Sequence, residues 1–245
     1  MRTFHPLYVV YTLLFVFALT GLKANAQILM KNGSFETGDF TGWTVVQEPG
    51  GSGDWFVYSG NATTVNADPI LPPPDGTFAA VTEGDPSSQV LFQDIDIPAG
   101  NTVTCSVIVY YENRAEVFIN APDLSYLTIP DQQARIDIMD PNAPDFDIGA
   151  GVLENLFQTN PGDPNSLGYT TINFDLTDFA GTTVRFRVAE VDNEDVFNFS
   201  IDDATCEAIS VANVPTLSKW GLVAMAGILG ILGFIMVIRR KKAAA

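Results

Sequence analysis

Thr183-Val184-Arg185-Phe186-Arg187-Val188 alternates polar and apolar residues one for one. A side chain swaps faces at every step of an extended chain, so this pattern makes a strand with one apolar face. Thr102 to Tyr110, Ala115-Glu116-Val117-Phe118-Ile119, Ala134-Arg135-Ile136-Asp137-Ile138, Thr170-Thr171-Ile172-Asn173-Phe174 and Phe197-Asn198-Phe199-Ser200-Ile201 read the same way. Turn chemistry separates such segments: Pro49-Gly50-Gly51-Ser52-Gly53, Pro72-Pro73-Pro74-Asp75-Gly76, Pro98-Ala99-Gly100-Asn101 and Asn160-Pro161-Gly162-Asp163-Pro164. Many short strands at this spacing predict an all-β antiparallel β-sandwich. Val152 to Gln158 is expected to form one short helix. Asp175 to Gly181 reads as a turn that packs Leu176 and Phe179 inward.

The ends of the chain differ from its middle. Arg2 precedes an apolar run from Leu7 to Leu22, and Ala24-Asn25-Ala26 is a small-x-small cleavage signal. Residues 1–26 therefore read as a secretory signal peptide, the mature chain starting at Gln27. At the other end Trp220 to Ile238 carries no charge. At helical rise it reaches about 28 Å, near the thickness of a bilayer's hydrocarbon core. Arg239-Arg240-Lys241-Lys242 follows at once, which orients one transmembrane helix with its C-terminal end in the cytoplasm. The organisation expected is a signal peptide (1–26), an ectodomain (27–209), a linker (210–213) and a C-terminal segment (214–245) with a span over 220–238.

Charge is as unevenly spread. All 29 acidic residues lie between the tags, opposed by Lys31, Arg114, Arg135, Arg185 and Arg187. Five minus 29 gives that region a formal charge of −24, against −17 for the whole chain. Such a field repels phosphate backbones and argues against nucleic-acid binding. The only histidine is His5, inside the leader, so the mature domain lacks a Ser-His-Asp or Cys-His mechanism and an imidazole for a transition metal. No phosphate-binding loop or dinucleotide fingerprint is present, and no carboxylate pair stands out for glycoside hydrolysis. A non-catalytic role is expected.

Val214-Pro215-Thr216-Leu217-Ser218-Lys219-Trp220-Gly221 resembles the IPTL-CTERM sorting signal of exported bacterial surface proteins. Pro215, Thr216, Leu217, Trp220 and Gly221 match that pattern, and Val214 stands for its isoleucine. The resemblance implies handling by an exosortase-type membrane transpeptidase and delivery to the cell surface. Asn32-Gly33-Ser34-Phe35-Glu36, with Gly38 and Gly42-Trp43, is similar to the opening of galactose-binding-like jelly rolls, and Phe199-Ser200-Ile201-Asp202-Asp203 to their closing strand. That second resemblance implies a jelly-roll ectodomain with a structural calcium ion on Glu36 and one of Asp202 and Asp203. Otherwise Glu36 caps the Asn32-Gly33 turn and the aspartates end a strand in water. The acidic run Asp137 to Asp147 lacks EF-hand spacing and reads as a solvated loop.

Cys105 and Cys206 lie in the exported region, where oxidation is permitted, and are expected to form a disulfide rather than remain as two buried thiols. Trp43, Trp55, Phe56, Tyr58, Tyr110 and Tyr111 offer stacking faces for sugar rings, or are core residues; Trp43 is the one most expected in the core. The functions to weigh are a surface binding or adhesion module for glycan, a structural surface or matrix component without a small ligand, and a glycosidase.

Overall fold

The computed structural model describes residues 26–210, 226–235 and 238. Ala24–Ser210 make one compact unit. It contains eleven strands: β1 (Ala26–Ile28), β2 (Thr44–Gln47), β3 (Asp54–Tyr58), β4 (Ala79–Glu83), β5 (Ser87–Asp96), β6 (Asn101–Asn113), β7 (Gln132–Met139), β8 (Val152–Gln158), β9 (Ser166–Asp175), β10 (Thr183–Asp192) and β11 (Phe197–Ser210). They form two sheets, with every pairing antiparallel. Sheet A runs β3-β4-β11-β6-β9, with β1 added on β11; sheet B runs β2-β5-β10-β7-β8.

The inner faces meet in one core. Val184, Phe186 and Val188 of β10, Ala134, Ile136 and Ile138 of β7, and Leu91 and Ile95 of β5 face Val103, Val107 and Val109 of β6 and Phe197, Phe199 and Ile201 of β11. Stacked Phe174–Phe186 and Phe157–Phe199 pairs tie the sheets together. Leu176 is fully buried beside a single 3-10 turn, Thr177–Phe179, and Phe179 packs on the same core. Cys105 and Cys206 are register partners on β6 and β11 and form a disulfide with Cα atoms 4.1 Å apart.

Alternation predicts one wet face for β7 and β10, but both strands are buried on both faces. Leu124, Tyr126, Phe146 and Ile148 from two long connections cover Val90, Phe92, Ala189 and Val191 on the outside of sheet B. Beneath that cover Arg187 is wholly buried. Its Nη2 donates to Asp137, and its Nη1 to the carbonyls of Asp145 and Asp147 at 2.7 and 2.6 Å. Arg135 grips the same Asp137 with two donors, at 2.7 and 2.8 Å. The run Asp137 to Asp147 is therefore solvated only in part, at Asp140, Asn142 and Pro144. Its first aspartate is a buried counter-ion, and its backbone is held by an arginine.

Two further expectations fail locally. Val152–Gln158 is a strand, not a helix. The open edge of β7 needs hydrogen-bond partners, and β8 supplies them with two register shifts. Ala115 to Ile119 is not a strand. Asn113 accepts the Ala115 N–H through its side chain and turns the chain, so Ala115 is buried at the turn and Phe118 alone of the segment joins the main core. The remaining long segment behaves likewise on sheet A. Tyr58 donates to the Leu71 carbonyl at 3.0 Å, Tyr110 accepts the Leu71 N–H at 3.3 Å, and Tyr169 donates to the Pro72 carbonyl, pinning the proline-rich stretch over the sheet.

Residues 226–235 are helical, and the rest of the span expected over 220–238 lies outside the described residues except Ile238. Among the described residues no helix is long and apolar enough to cross a membrane. Of the leader expected over 1–26 only Ala26 is described, as the first residue of β1, and the sorting motif (Val214 to Gly221) lies outside the described residues.

β11 joins the two ends of the unit. Its first half pairs with β4 and its second half with β1, with a bulge between Asp202 and Thr205. Asp203 takes a φ of 45° there. The bulge leaves the Ala204 N–H free to donate to the Gly33 carbonyl at 3.0 Å. A Cβ on Gly33 would stand 1.7 Å from the Ala204 oxygen. Gly33→Ala is expected to destabilise the domain by about 3 kcal/mol or more, because backbone rather than a flexible side chain must give way. Urea unfolding of the two proteins checks it.

Candidate functional site

The implied metal residues gather around one loop without closing on it. Glu36 is exposed, and its Oε1 accepts the N–H groups of Thr77 and Phe78 at 2.8 and 2.9 Å. Those two bonds hold its carboxyl below the ordinary range. It therefore caps the Asp75–Phe78 turn and not the Asn32-Gly33 turn. Asp202 is buried, on the outer face of β11, and its Oδ2 accepts the Asp75 N–H at 3.4 Å. Its Oδ1 accepts the Asp203 N–H at 2.7 Å, while Asp203 itself is exposed on the bulge. The aspartates thus do not both end a strand in water. Burial, aided by the charges of Asp203 and Asp75, pushes the Asp202 carboxyl up to about 7. Asp203 is raised by burial and by Asp75.

This donor set is all hard oxygen, has no cationic side chain bonded to it among the salt bridges of the described residues, and holds a carboxylate whose charge is strained. Its chemistry suits calcium. Among the described residues, however, no three Asp, Glu, His or Cys side chains converge as a ready cage.

The aromatic candidates separate sharply. Trp43, Trp55, Tyr58, Tyr110 and Tyr111 are each less than 9% exposed and belong to the interior or lie under the proline-rich stretch. Trp43 stacks on Phe35 and donates its indole N–H to the Asn32 carbonyl at 3.0 Å. None of the five offers a face to a ligand. Phe56, on the outer face of β3, is half-buried and keeps one.

Phe56 forms part of a groove of about 290 Å³ with Ser52, Asn66, Glu83, Asp85 and Val196. Glu83 is buried and accepts the Thr63 hydroxyl at 2.8 Å and the N–H groups of Val65 and Asn66. It fixes the wall of the groove. Ser52 donates to the Asp85 carbonyl at 2.6 Å. Burial, then Asp195 and Glu194, raise the Asp85 carboxyl. A half-open aromatic ring beside hydroxyl, amide and carboxyl groups can take an amphipathic ring by its apolar face and bond its edge. A larger hollow of about 410 Å³ is lined by Gln27, Lys31, Thr44, Gln93, Asp94 and Asp96. Phe92 also lines it, but that ring is 9% exposed and one face is covered by Arg185, whose guanidinium carbon lies 3.7 Å from its centroid. The sequence carried Phe56 only as one aromatic among six. Glu83 and Asp85 had no signal beyond the Gly84-Asp85-Pro86 turn.

Residues 212–241 match the IPTL-CTERM motif, so the chain carries that motif at its C-terminal end. No curated protein matches the chain. Among solved structures it is similar to TmCBM61 in complex with beta-1,4-galactotriose, at 16% identity and a TM-score of 0.44, covering 74% of this chain and 97% of that one. It is also similar to the K3 cleaved adhesin domain of Lys-gingipain from Porphyromonas gingivalis W83, at 11% identity and a TM-score of 0.47, covering 75% and 99%. A third is a Stig cyclase, Fisc, from Fischerella sp. TAU, at 14% identity and a TM-score of 0.42, covering 75% and 98%. At these scores the likenesses bear on no ligand or activity.

Proposed function

We propose that this chain is an exported surface protein whose galactose-binding-like sandwich is a non-catalytic binding or adhesion module. The ligand class proposed is glycan, taken in the Phe56 groove. The observation that carries this reading is the half-open Phe56 ring flanked by Ser52, Asn66 and Asp85, while the other candidate aromatics are buried. A glycosidase is the weaker reading, because the Glu83 carboxylate beside Asp85 is occupied by Thr63, Val65 and Asn66. Phe56→Ala is expected to leave the fold intact and weaken binding on a glycan array at least about tenfold, or 1.4 kcal/mol. Silence of the unmodified protein across a broad polysaccharide panel would favour a structural matrix component instead. Turnover of chromogenic glycosides would favour the hydrolase.

The sorting motif, a membrane helix over 220–238 and the basic tail would retain the precursor for an exosortase-type transpeptidase. Mass spectrometry of the mature protein should find a start at Gln27 and an end near Thr216. An intact Ala245 would mean a one-pass anchor and no transfer.

We further propose that Glu36 and Asp202 hold a structural calcium ion, with Asp203 and Asp75 supplying further negative charge. Bound calcium would offset the buried Asp202 charge. Calcium is expected to raise the melting temperature of the full chain. Glu36→Gln or Asp202→Asn should abolish that rise, and an unchanged melting temperature in the unmodified protein would refute the site.

A further inference from the structure

The inner face of sheet B holds a row of side chains that surface binding does not use. On β10, Val184, Phe186 and Val188 are followed at the same spacing by Glu190 and Asp192, both wholly buried. Gln89 of β5 lies directly opposite Glu190, and Ser87 directly opposite Asp192. Gln89 Nε2 donates to Glu190 Oε2 at 2.8 Å and to Ser87 Oγ at 3.1 Å. Ser87 donates to Asp192 Oδ1 through its N–H at 2.9 Å and its hydroxyl at 3.0 Å. Three buried oxygens remain without partners: Glu190 Oε1, Gln89 Oε1 and Asp192 Oδ2.

Among the described residues no counter-ion faces this row. The charged groups that act on Glu190 are all carboxyls: Asp192 on its own strand, Asp131 just before β7 and Asp85 in the turn before β5. From β7, Gln132 and Ala134 lie alongside. The inner positions of sheet A at this end are Trp55, Thr82, Tyr111, Asn113 and Phe197, of which only Tyr111 titrates. The cations are engaged elsewhere: Arg135, Arg185 and Arg187 on Asp137, Asp94 and Asp145, and Arg114 on Asp68. Lys31 sits in the opening motif, its backbone bonded both ways to Gln93.

Two ionised carboxylates without a cation do not persist in such a place. The pairing of Glu190 with Gln89 shows where a proton goes. An amide and a carboxylic acid are both planar and can join at two points. One point is made, by the amide N–H. The other would bring together the two free oxygens, which repel unless one carries hydrogen.

We infer that Glu190 is held as the neutral acid, its Oε1–H donating to Gln89 Oε1, so that the sandwich keeps a proton the unfolded chain releases and loosens as pH rises. A single proton thereby satisfies two of the three orphaned oxygens. Burial first, then the charge of Asp192, raises the Glu190 carboxyl well above the usual range. Burial pushes Asp192 up to about 9. An unfolded carboxyl loses its proton near pH 4. Above that pH the folded state binds more protons than the unfolded one, so stability is greatest at acid pH. It falls until the folded-state groups ionise. Each retained proton raises the unfolding equilibrium constant about tenfold per pH unit, or about a hundredfold while both groups hold theirs.

The test is urea unfolding of the full chain in detergent between about pH 5 and about pH 9. Stability should fall with pH. Glu190→Gln keeps a two-point amide pair without a titrating group, so it should fold and show a slope shallower by about tenfold per pH unit. A slope equal to that of the unmodified protein would overturn the inference. Should the variant not fold, infrared spectra of Asp192→Asn in D2O at about pH 8, above the Asp202 range, decide: a protonated-carboxyl carbonyl band supports the inference, and its absence overturns it. Stabilisation by calcium that survives Glu36→Gln but disappears in Glu190→Gln would also overturn it, by placing a cation where we place a proton.

Discussion

The close approach of Gly33 to the Ala204 carbonyl is the contact on which the architecture turns. β11 serves two partners along one edge, β4 first and β1 later, and its run is interrupted between them. The bulge at Asp202 to Thr205 is that break. The opening motif fills it with backbone, which only glycine permits at that distance. From this one seat follow the placing of Trp43 over Phe35, the burial of Asp202 and the exposure of Asp203. The disulfide then binds β11 to β6 at the register step just beyond the bulge.

The second organising fact is how much polarity this domain buries. A chain with 29 carboxyls and few cations has an easy way to stay soluble and a hard way to pack. It resolves the conflict differently on the two faces of sheet B. Outside, Arg135 and Arg187 converge on Asp137, with charge meeting charge and Arg187 Nη1 bonded to two loop carbonyls. Inside, beside Glu190 and Asp192, no arginine stands among the described residues, and the neutraliser we propose is a proton. The Phe56 groove on sheet A lies at the same end, its Gly84-Asp85 wall running directly into Ser87. The groove and the buried carboxyl row thus share one short connection.

Much of this was legible in the chain. The period-two pattern of Thr183 to Val188 named a strand, and five of the six alternating segments are strands. The pairing of Cys105 with Cys206, the inward Leu176 and the interior place of Trp43 also follow from local reading. Ala115 to Ile119 misled because its alternation is that of a strand while Asn113 turns the backbone away. Val152 to Gln158 misled because Leu153, Leu156 and Phe157 fall at helical spacing, and the neighbour that wanted an edge partner is distant in sequence. The aromatic set could not be sorted, since Trp55 and Phe56 are adjacent residues facing opposite ways, and only the sheets say which way is in.

By itself, then, the sequence determined the class of fold, the acidity of the domain and the sorting motif behind it, because periodicity, composition and short motifs are properties of neighbours along the chain. Tertiary structure alone decided which carboxyls meet a cation, which meet a backbone N–H and which meet only an amide. Those choices depend on residues roughly a hundred positions apart, such as Gln89 and Glu190, arriving opposite one another. Burial, and not residue type, sets the cost of their charge.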